Sequence, residues 1–572
     1  MASLREDYLS QVQRVFLSRA CAQHPQRMSQ TYSELTRLAS RLKQMDPRRS
    51  RCLMRPSILI TRAMPFHLSS AIPSSVRTGQ PRDSPPGKAT VLMTNPLSPS
   101  PVTPTEHGRG LVPHGMILPL VIASALFLEN MDSTVLATSL PAIALDLHQD
   151  PIVLKLAFTS YLLSLAVFIP VSGWIADRFG ARQVFRLAIA IFTLASLSCA
   201  FTSSLQGFII ARAVQGLGGA MMVPVGRLVL VRAIPKSELV QALSYLTLPA
   251  LVGPVIGPLI GGFLTTYLNW RWIFFINLPM GLVGMILASI YVPNVKAEVQ
   301  APLDVTGFFL SGLGLSSLVF GLTVLGREML PVYVAPGLIV LGIALLYLYT
   351  WHARRIPHPI LKLALLKLPT FRATVYGGFL FRAGIGSNPF LLPMMLQIGF
   401  GLSAFQSGSL TFASSAGAFL MKFTAPSILR RFGFRTILVT NGLISAAFFG
   451  SIALFSASTP HLLVLAVLLT GGFFRSLQFT CLNAIAYAEV EPADLSRASS
   501  FASVVQQVSG SVGVAFAALI LESLQFLRGD TRLEAGDFQI AFAVVAILIA
   551  ASTLLNRQLD PKAGADVSGH TA

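Results

Sequence analysis

The sequence predicts an all-α membrane protein with fourteen transmembrane helices, and three observations carry that prediction. Of its 572 residues, 53% are hydrophobic and only 12% charged, with a mean hydropathy of +0.65; soluble domains carry about twice that share of charge. From residue 113 onward, apolar runs follow one another, each near the roughly 20 residues that cross a hydrocarbon core of about 30 Å. Lys and Arg gather in alternate connections between those runs, as the cytoplasmic preference of basic residues requires.

Residues 1–112 stand apart. They lack sustained apolar periodicity, are rich in Arg, Ser and Pro, and hold 16 Lys/Arg against 6 Asp/Glu, which is +10 of the formal +19. The stretch 95–104, with Pro96, Pro99, Pro101 and Pro104, reads as a disordered linker. An apolar core followed by a small-residue cleavage site is missing, so a signal peptide is not expected. The Arg-rich, acid-poor character is also that of a transit peptide. A true start at Met93, with an over-extended reading frame upstream, is the simpler expectation.

Six runs centred near residues 127, 164, 194, 219, 253 and 282 form a first set within 113–295. Two more, near 304–326 and 332–351, occupy an inserted stretch, 296–367. A second set of six, near 385, 416, 445, 473, 512 and 547, fills 368–558, and a tail of 559–572 follows. With the N-terminus inside, the inner connections and tail hold eighteen Lys/Arg, and the outer loops hold only Lys155, Arg271, Arg327, Arg528 and Arg532. Both termini are therefore expected in the cytoplasm, which requires an even number of spans. Most of the charge outside the extension then lies in cytoplasmic loops, and nucleic-acid binding has no support.

The second and third spans are joined by Gly173-Trp-Ile-Ala-Asp177-Arg178-Phe-Gly180-Ala-Arg182. Gly173 is expected to let helices approach closely and Gly180 to allow a turn with positive φ. Asp177 and the arginines can form ion pairs that hold one helix arrangement and break in another. After the tenth span, Pro426-Ser-Ile-Leu-Arg430-Arg431-Phe-Gly433-Phe-Arg435 reads as a degenerate second copy, without the Asp and with Pro426 at the first Gly position. Copies placed this way point to two related six-helix repeats.

The first of these loops resembles the GxxxDRxGxR signature of the major facilitator superfamily at every defining position. Other elements narrow the resemblance to the fourteen-span drug:proton antiporters of EmrB/QacA type. Asp132-Ser-Thr134-Val-Leu-Ala-Thr-Ser-Leu140-Pro141 is similar to the LDxTxxNxALP pattern, with Met131 for Leu, Ala137 for Asn and Ser139 for Ala. Arg212-Ala-Val-Gln215-Gly216-Leu-Gly218-Gly219 resembles the RxxQGxGG element of the fourth span, and Gly253-Pro254-Val-Ile-Gly257-Pro258-Leu-Ile-Gly261-Gly262 resembles the antiporter motif of the fifth. The resemblance covers about residues 116–557. It implies the major facilitator fold, two six-helix halves with two inserted central helices. It further implies proton-coupled export of drug-like or other small organic compounds by alternating access, from the cytoplasmic membrane of a bacterium. Export of an endogenous metabolite or organic anion is the alternative, and a non-transporting membrane sensor a more distant one.

Physical chemistry selects the residues that matter. An ionisable group within a span is costly and functional by default, which singles out Asp132 and, one turn earlier on the same face, Glu129. About six residues at 1.5 Å place Asp132 and Arg212 each about 9 Å from the outer boundary, at matching depth. A carboxylate able to trade its proton for Arg212 or a cationic cargo is a coupling device; the competing reading is a static ion pair. The Gly/Pro element is read both as a kinked, closely packed helix and as a seal of the path. Gln215, Arg382, Arg475 and Gln478 are cavity candidates, Arg475-Ser-Leu-Gln478 echoing Arg212-Ala-Val-Gln215, and either arginine would favour an anionic group. Lys422 is read as snorkelling toward a membrane face.

Cys21, Cys52, Cys199 and Cys481 show no paired spacing, so neither a metal site nor a disulfide framework is expected. No GxxxxGK[ST] loop, His/Glu metal constellation or GxSxG elbow is present. Neither a cofactor nor an enzymatic activity is expected. The partners expected are a small-molecule substrate, protons and the lipid bilayer, with envelope partner proteins left open.

Overall fold

The structure, a computed structural model, describes residues 114–572 apart from 235–238, 297–301, 326–330, 492–493, 531, 569 and 571–572. The N-terminal extension, with its linker and the start expected at Met93, lies outside the described residues. What is described is helical, without a strand among the described residues. This is the economical solution for a chain that must satisfy every backbone N–H and C=O without water.

The helices in order are α1 (His114–Asp146), α2 (Lys155–Phe179), α3 (Ala181–Phe201), α4 (Leu205–Ala233), α5 (Leu239–Tyr267), α6 (Asn277–Tyr291), α7 (Val305–Val324) and α8 (Val334–Ala353). The ninth, α9 (Pro369–Gly386), is prolonged by Asn388–Met394 and a π turn at Met395–Gly399. The run Ala404–Ser451 is two helices joined at Gly433, whose φ of 69° turns the chain back; residues 404–432 are α10 and residues 434–451 are α11. Helices α12 (His461–Ile485), α13 (Leu495–Arg528) and α14 (Ala535–Asn556) complete the bundle. Eleven described helices are long and apolar enough to cross a membrane. Dividing Ala404–Ser451 at Gly433 and adding α5 and α9 gives a total consistent with the fourteen spans expected.

Small residues set the helix spacing. An added Cβ at Gly218 would lie 2.7 Å from the backbone of Phe192, and one at Gly216 2.6 Å from the Tyr161 carbonyl, so α4 packs backbone to backbone on α3 and α2. In the second set, Gly417 and Gly472 hold α10 and α12 equally close, their Cβ positions striking the carbonyls of Leu469 and Ser414. Gly173 does not act this way. A Cβ there would meet nothing within 4 Å, which corrects the expectation of a close approach at that glycine. Helices α7 and α8 pair with one another, and α7 lies against α2 and α13, one helix from each set of six.

At the end of the bundle away from Asp177, the two sets of six meet. Lys155 Nζ donates to Glu522 Oε1 at 2.7 Å, tying α2 to α13. Gln397 Nε2 donates to the Thr138 carbonyl at 2.9 Å, and the Phe405 N–H donates to Thr266 Oγ1 at 2.9 Å. A Cβ on Gly262 would strike the Ala404 carbonyl and one on Gly408 the Pro258 carbonyl, so α5 and α10 touch through their backbones. The bundle is closed at this end.

These packing differences are measurable. Gly472→Val drives two methyl groups into the α10 backbone and is expected to cost at least about 1–3 kcal/mol, read as a lower melting temperature of the detergent-purified protein. Gly173→Ala should leave that temperature unchanged.

Candidate functional site: a buried carboxylate–arginine cluster

Asp132 lies near the middle of α1, within a helix that holds prolines at Pro119 and Pro141. Arg212 lies two turns into α4, whose start is capped by Ser204 accepting from the Gly207 N–H. Both side chains are buried, at 3% and 1% exposure. Arg212 Nη1 donates to Asp132 Oδ2 at 2.7 Å and to Gln215 Oε1 at 2.6 Å. Gln215 Nε2 turns back to Asp132 Oδ1 at 2.9 Å. Asn277, the first residue of α6, donates to the same Oδ1 at 2.8 Å and to Ser196 Oγ on α3 at 2.9 Å. The guanidinium stacks on the Tyr161 ring of α2 at 4.4 Å, an electrostatic contact that strengthens out of water. Five residues from four other helices thus gather around one carboxylate, which accepts three hydrogen bonds.

The matching depth inferred for Asp132 and Arg212 corresponds to direct contact, and Gln215 belongs to the same cluster. Glu129 sits beside it. Its Oε2 is buried without a hydrogen-bond partner among the described residues. Gly219 on α4 leaves room there, since a Cβ would lie 3.7 Å from Glu129 Cδ and 3.2 Å from the Tyr161 hydroxyl.

The Gly/Pro element on α5 faces two ways. Cβ atoms on Gly253, Gly257 and Gly261 would press on Phe127, Thr134, and Val135 with Thr138, all on α1, whereas Gly262 presses on α10. Pro249, Pro254 and Pro258 lie within this helix and remove N–H donors from its ladder. The helix carrying Asp132 is therefore clamped to the helix that meets the second set of six.

In the charged loop, Gly180 adopts φ 96° as expected, and Gly433 occupies the same motif position with φ 69°. Asp177 pairs with Arg232 at the end of α4, at 2.6 Å, a partner from outside the loop that the sequence did not single out. Arg182 Nε donates to the Val292 carbonyl at the end of α6, and Arg178 lies over the Trp174 ring at 5.7 Å.

The remaining cavity candidates are not brought to this cluster. Arg382 donates to the Thr374 carbonyl at 3.2 Å and to Asn483 Oδ1 at 3.0 Å, within the second set of helices. Gln478 donates to the Leu438 carbonyl and accepts from Asn441, bracing α12 on α11. Arg475 lines a separate small cavity. Lys422 donates to Thr480 Oγ1 at 2.8 Å. One residue needs a correction. Lys155, counted with the outer loops, is 1% exposed, and Glu522, near the end of α13, is 8% exposed; the bundle buries them as a pair. Cys199 and Cys481 are both buried and free, as small apolar side chains are.

A Major Facilitator Superfamily model matches residues 122–366 and 374–570. The chain belongs to the Major Facilitator Superfamily. It is a transporter rather than an enzyme. This superfamily member is 37% identical over 401 residues to a Haemophilus influenzae protein named as a transport protein, HsrA, covering 70% of this chain and 86% of the relative. It is 35% identical over 443 residues to a Citrobacter koseri protein named for multidrug resistance, MdtD, covering 76% of this chain and 93% of the relative. Among solved structures, a D-xylose–proton symporter superposes with a TM-score of 0.57 at 14% identity, covering 78% of this chain and 98% of that one. An auto-inhibited POT family peptide transporter superposes at 0.56 with 19% identity, covering 78% and 97%. At such identities the likeness concerns the fold, which is the major facilitator fold that the loop motif implied.

The pair can be tested by a mutant cycle. Arg212→Ala leaves Asp132 buried without its countercharge and is expected to cost about 3–5 kcal/mol. Adding Asp132→Asn should recover part of that loss. Melting temperatures of the two single variants and the double variant check this; strictly additive losses would mean that the two side chains act independently.

Proposed function

We propose that this transporter is a proton-coupled exporter of drug-like or other small organic compounds, working by alternating access. The observation that carries the reading is the carboxylate of Asp132, held between Arg212, Gln215 and Asn277. A proton arriving at Oδ2 must displace the Arg212 contact, so proton and arginine compete for one oxygen. Because the donors come from α4 and α6 and the acceptor from α1, protonation loosens three helices relative to one another. Glu129, one turn away with an unengaged oxygen, is placed to pass the proton along.

The domain division goes with this mechanism. Residues 113–295 and 368–558 form the two moving halves, and the pair within 296–367 rides on their seam at α2 and α13. With the basic loops cytoplasmic, both termini face the cytoplasm and the closed end faces outward, so this is an inward-facing conformation. Opening outward requires the Lys155–Glu522 pair and the α5–α10 backbone contact to part. An apolar recess of about 370 Å³, lined by Phe127, Pro249, Val252 and Phe419, spans α1, α5 and α10. Its lining favours apolar cargo. The name of MdtD, for multidrug resistance, is in keeping with such cargo. The bacterial organisms of the relatives are in keeping with placement in a bacterial cytoplasmic membrane. Export of an organic anion is the second reading, favoured by Arg475.

Efflux of fluorescent dyes from vesicles is expected with an imposed pH gradient and to stop when the gradient is collapsed. Asp132→Asn, whose amide oxygen can still accept from Arg212, should remain folded in the membrane and lose coupled efflux. Dye efflux that survives collapse of the gradient, or that Asp132→Asn leaves unchanged, overturns the coupling. Glu522→Gln should weaken the outer closure: a cysteine introduced by Thr266→Cys is expected to react faster with a membrane-impermeant maleimide in that background.

A further inference from the structure

Arg475 sits within α12, fourteen residues after His461 and ten before Ile485. At 1.5 Å per residue that is about 15–20 Å from either helix end, well inside the span. Arg475 is partly exposed, whereas the buried cations are engaged: Arg212 with Asp132, Lys155 with Glu522, and Arg382 with a carbonyl and Asn483. Arg475 has no hydrogen bond or ion pair among the described residues. It lines a cavity of about 20 Å³ with Asn388 from the prolongation of α9, Ser414 from α10 and Ser445 from α11. Those three polar side chains also make no side-chain hydrogen bond with a described residue, and the Ser445 Oγ is fully buried without a partner. Room for about one water-sized group is present; these four residues line it together with apolar ones such as Phe448, Phe449 and Leu468, and no acid lines it.

The first six helices show what such a site otherwise contains. There Arg212 meets Asp132 of α1, the opening helix of its set, and Gln215 closes the triangle. Arg475-Ser-Leu-Gln478 repeats the spacing in α12, but Gln478 is turned to α11, and α9, the opening helix of the second set, offers Asn388. The second half holds the cation without its counterion. An embedded unpaired charge is a functional site by default.

We propose that Arg475, Asn388, Ser414 and Ser445 form a binding site for a small monovalent anionic group, either a halide ion or the carboxylate of a cargo molecule. Arg475 is the one charged side chain among the residues that line the site, so it selects against cations. Its size admits one small anionic group and excludes sulfate. The inference rests on the transporter fold and stands independently of proton coupling at Asp132.

The test uses the full chain purified in detergent, with melting temperature followed against sodium chloride or sodium acetate, and sodium sulfate at matched ionic strength as control. A saturable rise with chloride or acetate, and none with sulfate, is expected. Arg475→Gln should weaken the half-saturating concentration by about tenfold or more, the scale of 1.4 kcal/mol. Asn388→Asp, which installs the acid that α1 supplies in the other half, should raise the melting temperature without added anion and abolish the anion response; it also serves if Arg475→Gln does not fold. Asp132→Asn should retain the response, so a failure of proton coupling is distinguishable from a failure of this site. A chloride response without an acetate response assigns the site to the free ion. An acetate response, with selective loss of carboxylated-dye efflux in Asn388→Asp, assigns it to cargo. No saturable response to either anion, or a response unchanged in Asn388→Asp, overturns the proposal.

Discussion

Inside a bilayer there is no water to satisfy a polar group, and that constraint governs this protein from backbone to site. It forces the backbone into helices, and it forces each embedded charge either to find a partner or to stand ready for one. The Asp132–Arg212 contact is the clearest instance: a carboxylate and a guanidinium, each nearly inaccessible, hold five helices to one point. Taking both charges out of water is expensive, and only the additional bonds from Gln215 and Asn277 satisfy the remaining lone pairs. An arrangement stabilised so narrowly by geometry is also one that a proton can disturb.

The parts of this arrangement that sequence alone revealed are those set by position along a helix. Depth is a linear function of residue number, so Asp132 and Arg212 could be matched from two spans 80 residues apart without knowing how the spans pack. Turn conformation is similarly local. Gly180 and Gly433 occupy equivalent places in two loop motifs and both take positive φ, because only glycine enters that region without a Cβ penalty. The glycines of the fifth span were readable as close-packing positions for the same reason, though not which helices they would meet.

What escaped the sequence depends on rotation of one helix against another. Asn277 stood at the start of an apolar run with nothing to mark it, and only the approach of α6 to α1 gives it Asp132 as an acceptor. Lys155 and Glu522 were visible as charges near span ends but are 367 residues apart; their union needs α2 and α13 to meet across the two halves. Gly173 failed in the opposite sense. Its place in a motif invited a packing role, yet no neighbour approaches it here. A motif position reports that a residue matters in some state of a moving protein, whereas a single conformation reports contacts in one.

The two halves apply one design with different chemistry. Each places an Arg-x-x-Gln pair on the fourth helix of its set, but the first half supplies an acid to the arginine and the second lines its cavity with neutral Asn and Ser side chains. A symmetric pair of ion pairs would leave both halves electrostatically closed, with protonation the only event able to alter either. In the proposed mechanism, the missing acid in one half gives the transporter two unlike sensitivities, one to protons at Asp132 and one to anions at Arg475. Because the halves must move together for access to alternate, occupancy of either site then biases the same conformational equilibrium. Coupling between them requires no direct contact, only that each site be tighter in one arrangement of the helices than in the other.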